Sequence, residues 1–164
     1  MSQVAAEGVQ RLAARAQAGY LWRVRVYYED TDAGGVVYYA NYLRFFERCR
    51  TEWMRALGFG QRELSQRDGV LFVVAGAELQ FLRSAVLDDE LTIGACLAER
   101  HASYVVFDQQ AMRGSELLCR ARVKVACIGA RTMKPTRLPI ALVTALSKIT
   151  QQPAVPADRV NQEN

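Results

Sequence analysis

The sequence has few of the residues most used in metal and acid–base chemistry. It holds one histidine, His101, and four cysteines, Cys49, Cys96, Cys119 and Cys127, with no C-x-x-C spacing among them. A Cys/His zinc site therefore lacks ligands, and a Cys–His pair has a single imidazole to draw on. Each cysteine falls in an apolar periodic segment, where a free thiol packs as a small hydrophobe. No G-x-S-x-G, H-E-x-x-H or P-loop pattern occurs, so serine-hydrolase, zinc-hydrolase and NTPase chemistry have no support. There is no apolar run near the ~18 residues of a membrane helix and no signal-peptide core, so the chain reads as cytoplasmic and soluble. Lysine and arginine form no block, and a net charge of +4 does not imply nucleic acid. So mild an excess suits a phosphate-rich small ligand, an acidic carrier protein or an anionic membrane surface, and equally a solvated face.

What is present is ordinary globular material. With 164 residues, 51% hydrophobic and 23% charged, the chain is long enough for one domain with a real core. From Trp22 to Tyr28 it alternates, with Trp22, Val24, Val26 and Tyr28 on one face: a half-buried strand. Glu29, Asp30, Thr31, Asp32, Ala33, Gly34 and Gly35 follow as a loop in which two glycines permit positive φ or close backbone approach. The period then changes. Tyr42, Phe46, Cys49, Trp53 and Leu57, widened by Phe45 and Ala56, form the stripe of an amphipathic helix of about five turns ended by Gly58. An aspartate before such a helix is a place for chemistry, because unpaired N–H groups at a helix start favour negative charge. An aspartate before Gly-Gly is also an ordinary turn residue.

Residues 60–68 read as a short helix or loop anchored by Leu64. Four strands follow. Val70–Leu82 places Val73, Ala75, Ala77, Leu79 and Phe81 on one face. Glu90–Glu99 alternates Leu91, Ile93, Ala95 and Leu97 against Thr92, Gly94 and Cys96. Ser103–Met112 is rich in Tyr, Val and Phe. Leu117–Ile128 turns Leu117, Cys119, Ala121, Val123, Val125 and Cys127 inward. The short turns between them fit antiparallel hairpins, and Ile140–Ile149 reads as a closing helix. Residues 1–19 and 151–164 read as tails flanking a domain over 20–150. One sheet with one apolar face and one large helix predicts a sheet wrapped around that helix, with edges that favour pairing between protomers.

The run EDTDAGGVVYYANYLRFFERCRTEW resembles the hotdog-fold thioesterases of the 4-hydroxybenzoyl-CoA thioesterase type, most of all their Tol–Pal-associated acyl-CoA thioesterase branch. The Asp88-Asp89 turn and the closing MKPTRLP extend the likeness over roughly residues 22–149. The resemblance implies an α+β hotdog fold, an antiparallel sheet of about five strands around one long helix. It implies hydrolysis of a thioester of coenzyme A or of an acyl carrier protein, with no metal and no cofactor. Asp32 would be the catalytic carboxylate, as general base or as nucleophile, and a backbone N–H on or beside Tyr39 the oxyanion donor, with Gly34 and Gly35 shaping the loop. Many members of the branch carry histidine where this chain has Tyr39, and the aromatic-acyl branch often has tyrosine. Asp30 and Glu29 are expected to shape the loop or face solvent, Asn41 to be a hydrogen-bonder in the first turn, and His101 to lie on the surface. The resemblance further implies a homodimer or tetramer, leaves room for peripheral membrane association, and gives no role to nucleic acid. The rival readings are a non-catalytic acyl-carrier-binding or envelope-associated scaffold on the same fold, and a hotdog dehydratase.

Overall fold

The computed structural model describes residues 19–149, together with the backbone of residues 155–156. The expected tails at 1–19 and 151–164 lie almost entirely outside the described residues. Strand β1 spans Tyr20–Arg25 and is followed by a 3-10 turn over Tyr28–Asp30. Helix α1 spans Asn41–Ala56 and helix α2 Gln61–Asp68. The long strands are β2 (Val70–Phe81), β3 (Glu90–Arg100), β4 (Tyr104–Arg113) and β5 (Glu116–Gly129). Helix α3 (Ile140–Ile149) follows, and the two-residue β6 (Val155–Pro156) runs parallel to β1. The sheet order is β2-β5-β4-β3-β1-β6, and every long pairing is antiparallel.

The expected α+β fold, with β1 and the four long strands wrapped on one long helix, is therefore present. Tyr42, Phe45, Phe46, Cys49 and Trp53 of α1 are all buried against the sheet, through β1, β3 and β4. The helix is 16 residues long, just over four turns, because the loop before it runs on to Ala40. It ends in a Schellman arrangement: Gly58 at φ +86° donates to the Arg55 carbonyl and Phe59 to that of Met54, each at 2.9 Å.

Three details differ from the alternation of the sequence. Tyr28 does not continue β1; it sits in the 3-10 turn and is 81% exposed. In β2 the pairing steps from Val74↔Val125 to Gly76↔Lys124, so Ala75 is an extra residue. Such a bulge reverses the side-chain alternation. Phe72 and Val74 before it therefore share the inner face with Ala77, Leu79 and Phe81 after it, and Val73 and Ala75 do not belong to that row. A similar irregularity at the start of β5 pairs Leu117 with Met112 and Cys119 with Ala111, which leaves Leu118 fully buried and Leu117 only half-buried.

Candidate active site

The D-T-D loop is a short hairpin built on Asp30. Its carboxylate is buried, with Oδ2 accepting the Tyr27 N–H at 2.8 Å and Oδ1 the Asn41 Nδ2 at 2.9 Å. Its carbonyl accepts the Tyr38 N–H at 2.9 Å. Asp30 thus ties the end of the first strand to the beginning of α1, which makes it a loop-shaping residue, and Asn41 is the hydrogen-bonding residue of the first turn, its partner being Asp30 across the loop. Thr31 bridges Val37 across the hairpin, and Val36 bridges Val86. Val37 donates to the Ala85 carbonyl at 2.8 Å, and the Ala85 N–H donates to the Tyr42 hydroxyl at 3.2 Å. Burial pushes the Tyr42 phenol above its ordinary pKa, so it stays neutral as an acceptor.

At the hairpin tip the Asp32 N–H donates to the Val36 carbonyl and the Gly35 N–H to the Asp32 carbonyl, both at 3.0 Å. The Gly34 N–H donates to Asp32 Oδ1 at 2.8 Å, an Asx turn. Gly35 takes φ +75°, and a Cβ on Gly34 would stand 3.0 Å from Asp32 Oδ1. The two glycines thus do what their place in the loop suggested: one reverses the chain, the other leaves room for the carboxylate. In the single chain Asp32 is exposed. Its second oxygen, Oδ2, accepts no hydrogen bond among the described residues.

Tyr39 follows directly on the hairpin's return strand. Its side chain is 62% exposed, with its ring 4.8 Å from that of Tyr38 and edge-on to Phe81 at 6.2 Å. Tyr42 meets the same Phe81 at 5.7 Å. The Tyr38 phenol is held above its usual pKa first by the neighbouring Tyr39 side chain and least by the negative charge of Asp32. The Tyr39 N–H makes no hydrogen bond among the described residues, and α1 begins without a side-chain cap or an acidic first turn. A free donor and a free carboxylate oxygen thus sit at the same corner of the fold. That pairing fits acyl transfer: a base or nucleophile with an oxyanion donor.

His101 stands apart on the surface, stacked on Tyr104 at 4.2 Å and bonded to Glu99 at 3.1 Å. Cys49, Cys119 and Cys127 are buried, and burial pushes the thiols of Cys49 and Cys119 up to about 12. No group of His, Cys, Asp and Glu among the described residues is arranged to hold a metal, and no described helix is long and apolar enough to cross a membrane.

The sequence reading passed over one feature. A cavity of about 120 Å3 opens between the later half of α1, β2, β4 and α3, with Arg50, Met54, Phe72, Val74, Phe107 and Leu142 among its walls. Arg50 donates to Gln109 Oε1 at 2.6 Å, and the Gln109 Nε2 donates to the Phe46 carbonyl at 3.0 Å. The signal was there: Gln109 interrupts the inward row Val105, Phe107 and Ala111 of β4, where a buried amide needs partners.

Comparisons with known proteins agree with this architecture. Residues 26–146 match the family model described as the thioesterase-like superfamily. The chain is 46% identical over 121 residues to the acyl-CoA thioesterase YbgC of Haemophilus influenzae, covering 74% of this chain and 89% of that protein. It is 42% identical over 125 residues to the acyl-CoA thioester hydrolase YbgC of Escherichia coli O6:H1, covering 76% and 92%. The crystal structure of a probable thioesterase from Bartonella henselae superposes with a TM-score of 0.71 at 38% identity, over 74% of this chain and 99% of that one. With the family model spanning most of the chain and relatives this similar along nearly their whole length, this chain belongs to the thioesterase-like superfamily.

Proposed function

We propose that the protein hydrolyses acyl-CoA thioesters, with Asp32 as the catalytic carboxylate and the Tyr39 N–H as oxyanion donor. The observation that carries this is the corner just described, an exposed carboxylate fixed on an Asx turn, with the unbonded Tyr39 N–H just ahead of the start of α1. Two routes fit it. Asp32 takes a proton from water as the water oxygen bonds to the thioester carbon, or its own oxygen attacks to give a mixed anhydride that water then opens. In both, the carbonyl electron pair moves onto oxygen, the Tyr39 N–H stabilises that charge, and the C–S bond breaks to release the coenzyme A thiolate. A thioester is activated enough that neither route calls on a metal or cofactor. The same chemistry serves an acyl group on a carrier protein.

The assembly proposed is at least a dimer formed along β2. That strand is the outer edge of the sheet, and it exposes Val73, Val74 and Phe81. Long apolar edges demand a partner. An antiparallel pairing centred near Gly76 lays the Phe81 end of one strand, with its Tyr39 and Asp32, over the Phe72 end of the other, so that each site is shared. Four free cysteines, three of them buried, fit a reducing cytoplasmic compartment.

The decisive experiment is thiol release from a panel of acyl-CoAs, short aliphatic through aromatic. Turnover of at least one of them is expected, and none with any would leave the non-catalytic acyl-carrier scaffold as the better reading. Light scattering at micromolar concentration checks the assembly, which an active monomer would refute.

A further inference from the structure

The Arg50 guanidinium is partly buried at the wall of the 120 Å3 cavity. Among the described residues it makes one hydrogen bond, to Gln109, and no ion pair. Glu47, one turn earlier, lines the same cavity but is exposed, and its Oε1 accepts the Thr51 hydroxyl. A cation taken out of water is normally matched by an anion or by several acceptors. Here one neutral amide oxygen is the hydrogen-bond acceptor for five N–H donors, and the Glu47 charge acts on the guanidinium without pairing with it. The amide is itself fixed, because Gln109 is 1% exposed and its nitrogen is committed to the Phe46 carbonyl. Arg50 borders a space walled mainly by apolar side chains, Met54, Phe72, Val74, Phe107 and Leu142 among them, with Glu47, Thr51 and Gln61 also in its lining. A cavity of about 150 Å3 lined by apolar side chains holds a benzene molecule, so this one takes a chain of a few carbons.

Within one chain this space is far from Asp32. Tyr39 and Arg50 are eleven residues apart along the backbone, roughly 16 Å at helical rise, and Phe81 and Phe72 stand at opposite ends of β2. The β2 pairing proposed above removes that gap by bringing one protomer's Asp32 hairpin to the other's cavity.

We propose that this cavity receives the far end of a short acyl chain and that Arg50 donates a hydrogen bond to an oxygen carried there, as hydroxyl or carboxylate. This assignment rests on the thioesterase reading and on the shared site. It makes Arg50 a specificity-determining residue, with Gln109 positioning it.

The test compares kcat/KM for three four-carbon thioesters: butyryl-CoA, 4-hydroxybutyryl-CoA and succinyl-CoA. Wild type is expected to favour at least one oxygenated substrate over butyryl-CoA by about tenfold or more, the scale of one polar contact in a pocket. A gain for both assigns a neutral acceptor, and a gain for succinyl-CoA alone an anion. Arg50→Met, which keeps the apolar stem and removes every donor, is expected to bring that ratio close to one, while Arg50→Lys retains part of it. Parity of the three substrates with wild type overturns the assignment without recourse to a variant. So does an unchanged ratio in folded Arg50→Met. Butyryl-CoA turnover without an oxygen preference sinks this inference alone; no thiol release from any acyl-CoA sinks the thioesterase reading and this one with it.

Discussion

Replacing each aspartate of the D-T-D loop by asparagine separates building from chemistry. Asp30 accepts two N–H groups through its two oxygens while buried. An asparagine there has one acceptor oxygen and one NH2, so one of those donors faces another donor. If Asn41 turns its amide over it repairs that contact, but two charge-assisted bonds have still become neutral ones. The expected cost is about 1–3 kcal/mol, a fall in Tm of roughly 3–10 °C for a domain of this size. Asp32 is exposed, and its one bonded oxygen, to Gly34, is one an amide can reproduce. Asp32→Asn should therefore change stability by less than about 0.5 kcal/mol while lowering kcat on the order of a hundredfold or more. Urea unfolding followed by tryptophan fluorescence reads the first quantity, and thiol release from the best acyl-CoA the second. Near wild-type kcat in folded Asp32→Asn would refute the catalytic assignment. Equal losses of kcat from both variants, with no stability lost in Asp30→Asn, would show that the roles within the loop have been misassigned.

Gly35→Ala forces a side chain into φ +75° and should cost roughly 1–2 kcal/mol; an unchanged Tm would mean that the turn relaxes freely. Tyr39→Phe keeps the backbone donor and the ring edge on Phe81, so kcat should fall little, whereas Tyr39→His should reorder the acyl-CoA ranking by roughly 1–3 kcal/mol in kcat/KM. A Tyr39→Phe loss as large as that of Asp32→Asn would assign chemistry to the phenol. The buried thiols contribute to alkaline stability, alongside the buried phenols of Tyr20 and Tyr42. Cys49 and Cys119 keep their protons to about 12 in the native state, against about 9 for an exposed thiol, so the unfolded chain sheds them first. Their contribution is fully present below about pH 9 and lost as pH rises toward 12, roughly 1 kcal/mol each by pH 10. Urea midpoints at pH 8 and pH 10 check this, and equal values would refute it.

Most elements were legible because each repeats its period long enough to be read. The stripe Tyr42, Phe46, Cys49 and Trp53 could only be a helix face, and β3 alternates unbroken from Leu91 to Leu97, before its bulge at Ala98. What escaped was what depends on a single inserted residue or on pairs distant in sequence. Ala75 looks like any small strand residue, and only its partner strand shows that it is surplus. Tyr28 continues the alternation of β1, but Asp30 recaptures the Tyr27 N–H and turns the chain away. Asp32 and its glycines could be located in the sequence; that the buried carboxylate is Asp30 could not, because its partner Asn41 lies beyond the loop. Arg50 and Gln109 are 59 residues apart, and neither announces the other.

The bare start of α1 has a consequence for engineering. Helix starts generally carry Ser, Thr, Asp or Asn, a device worth about 1 kcal/mol, and this one has Ala40 and no acidic residue in its first turn. Thermal tolerance has been forgone at the one terminus where an added carboxylate would set its negative charge beside a substrate oxyanion held by the Tyr39 N–H. Ala40→Asp should raise Tm and depress turnover together. A variant that gained both would mean that the open helix end is an accident of the sequence rather than a condition of the chemistry.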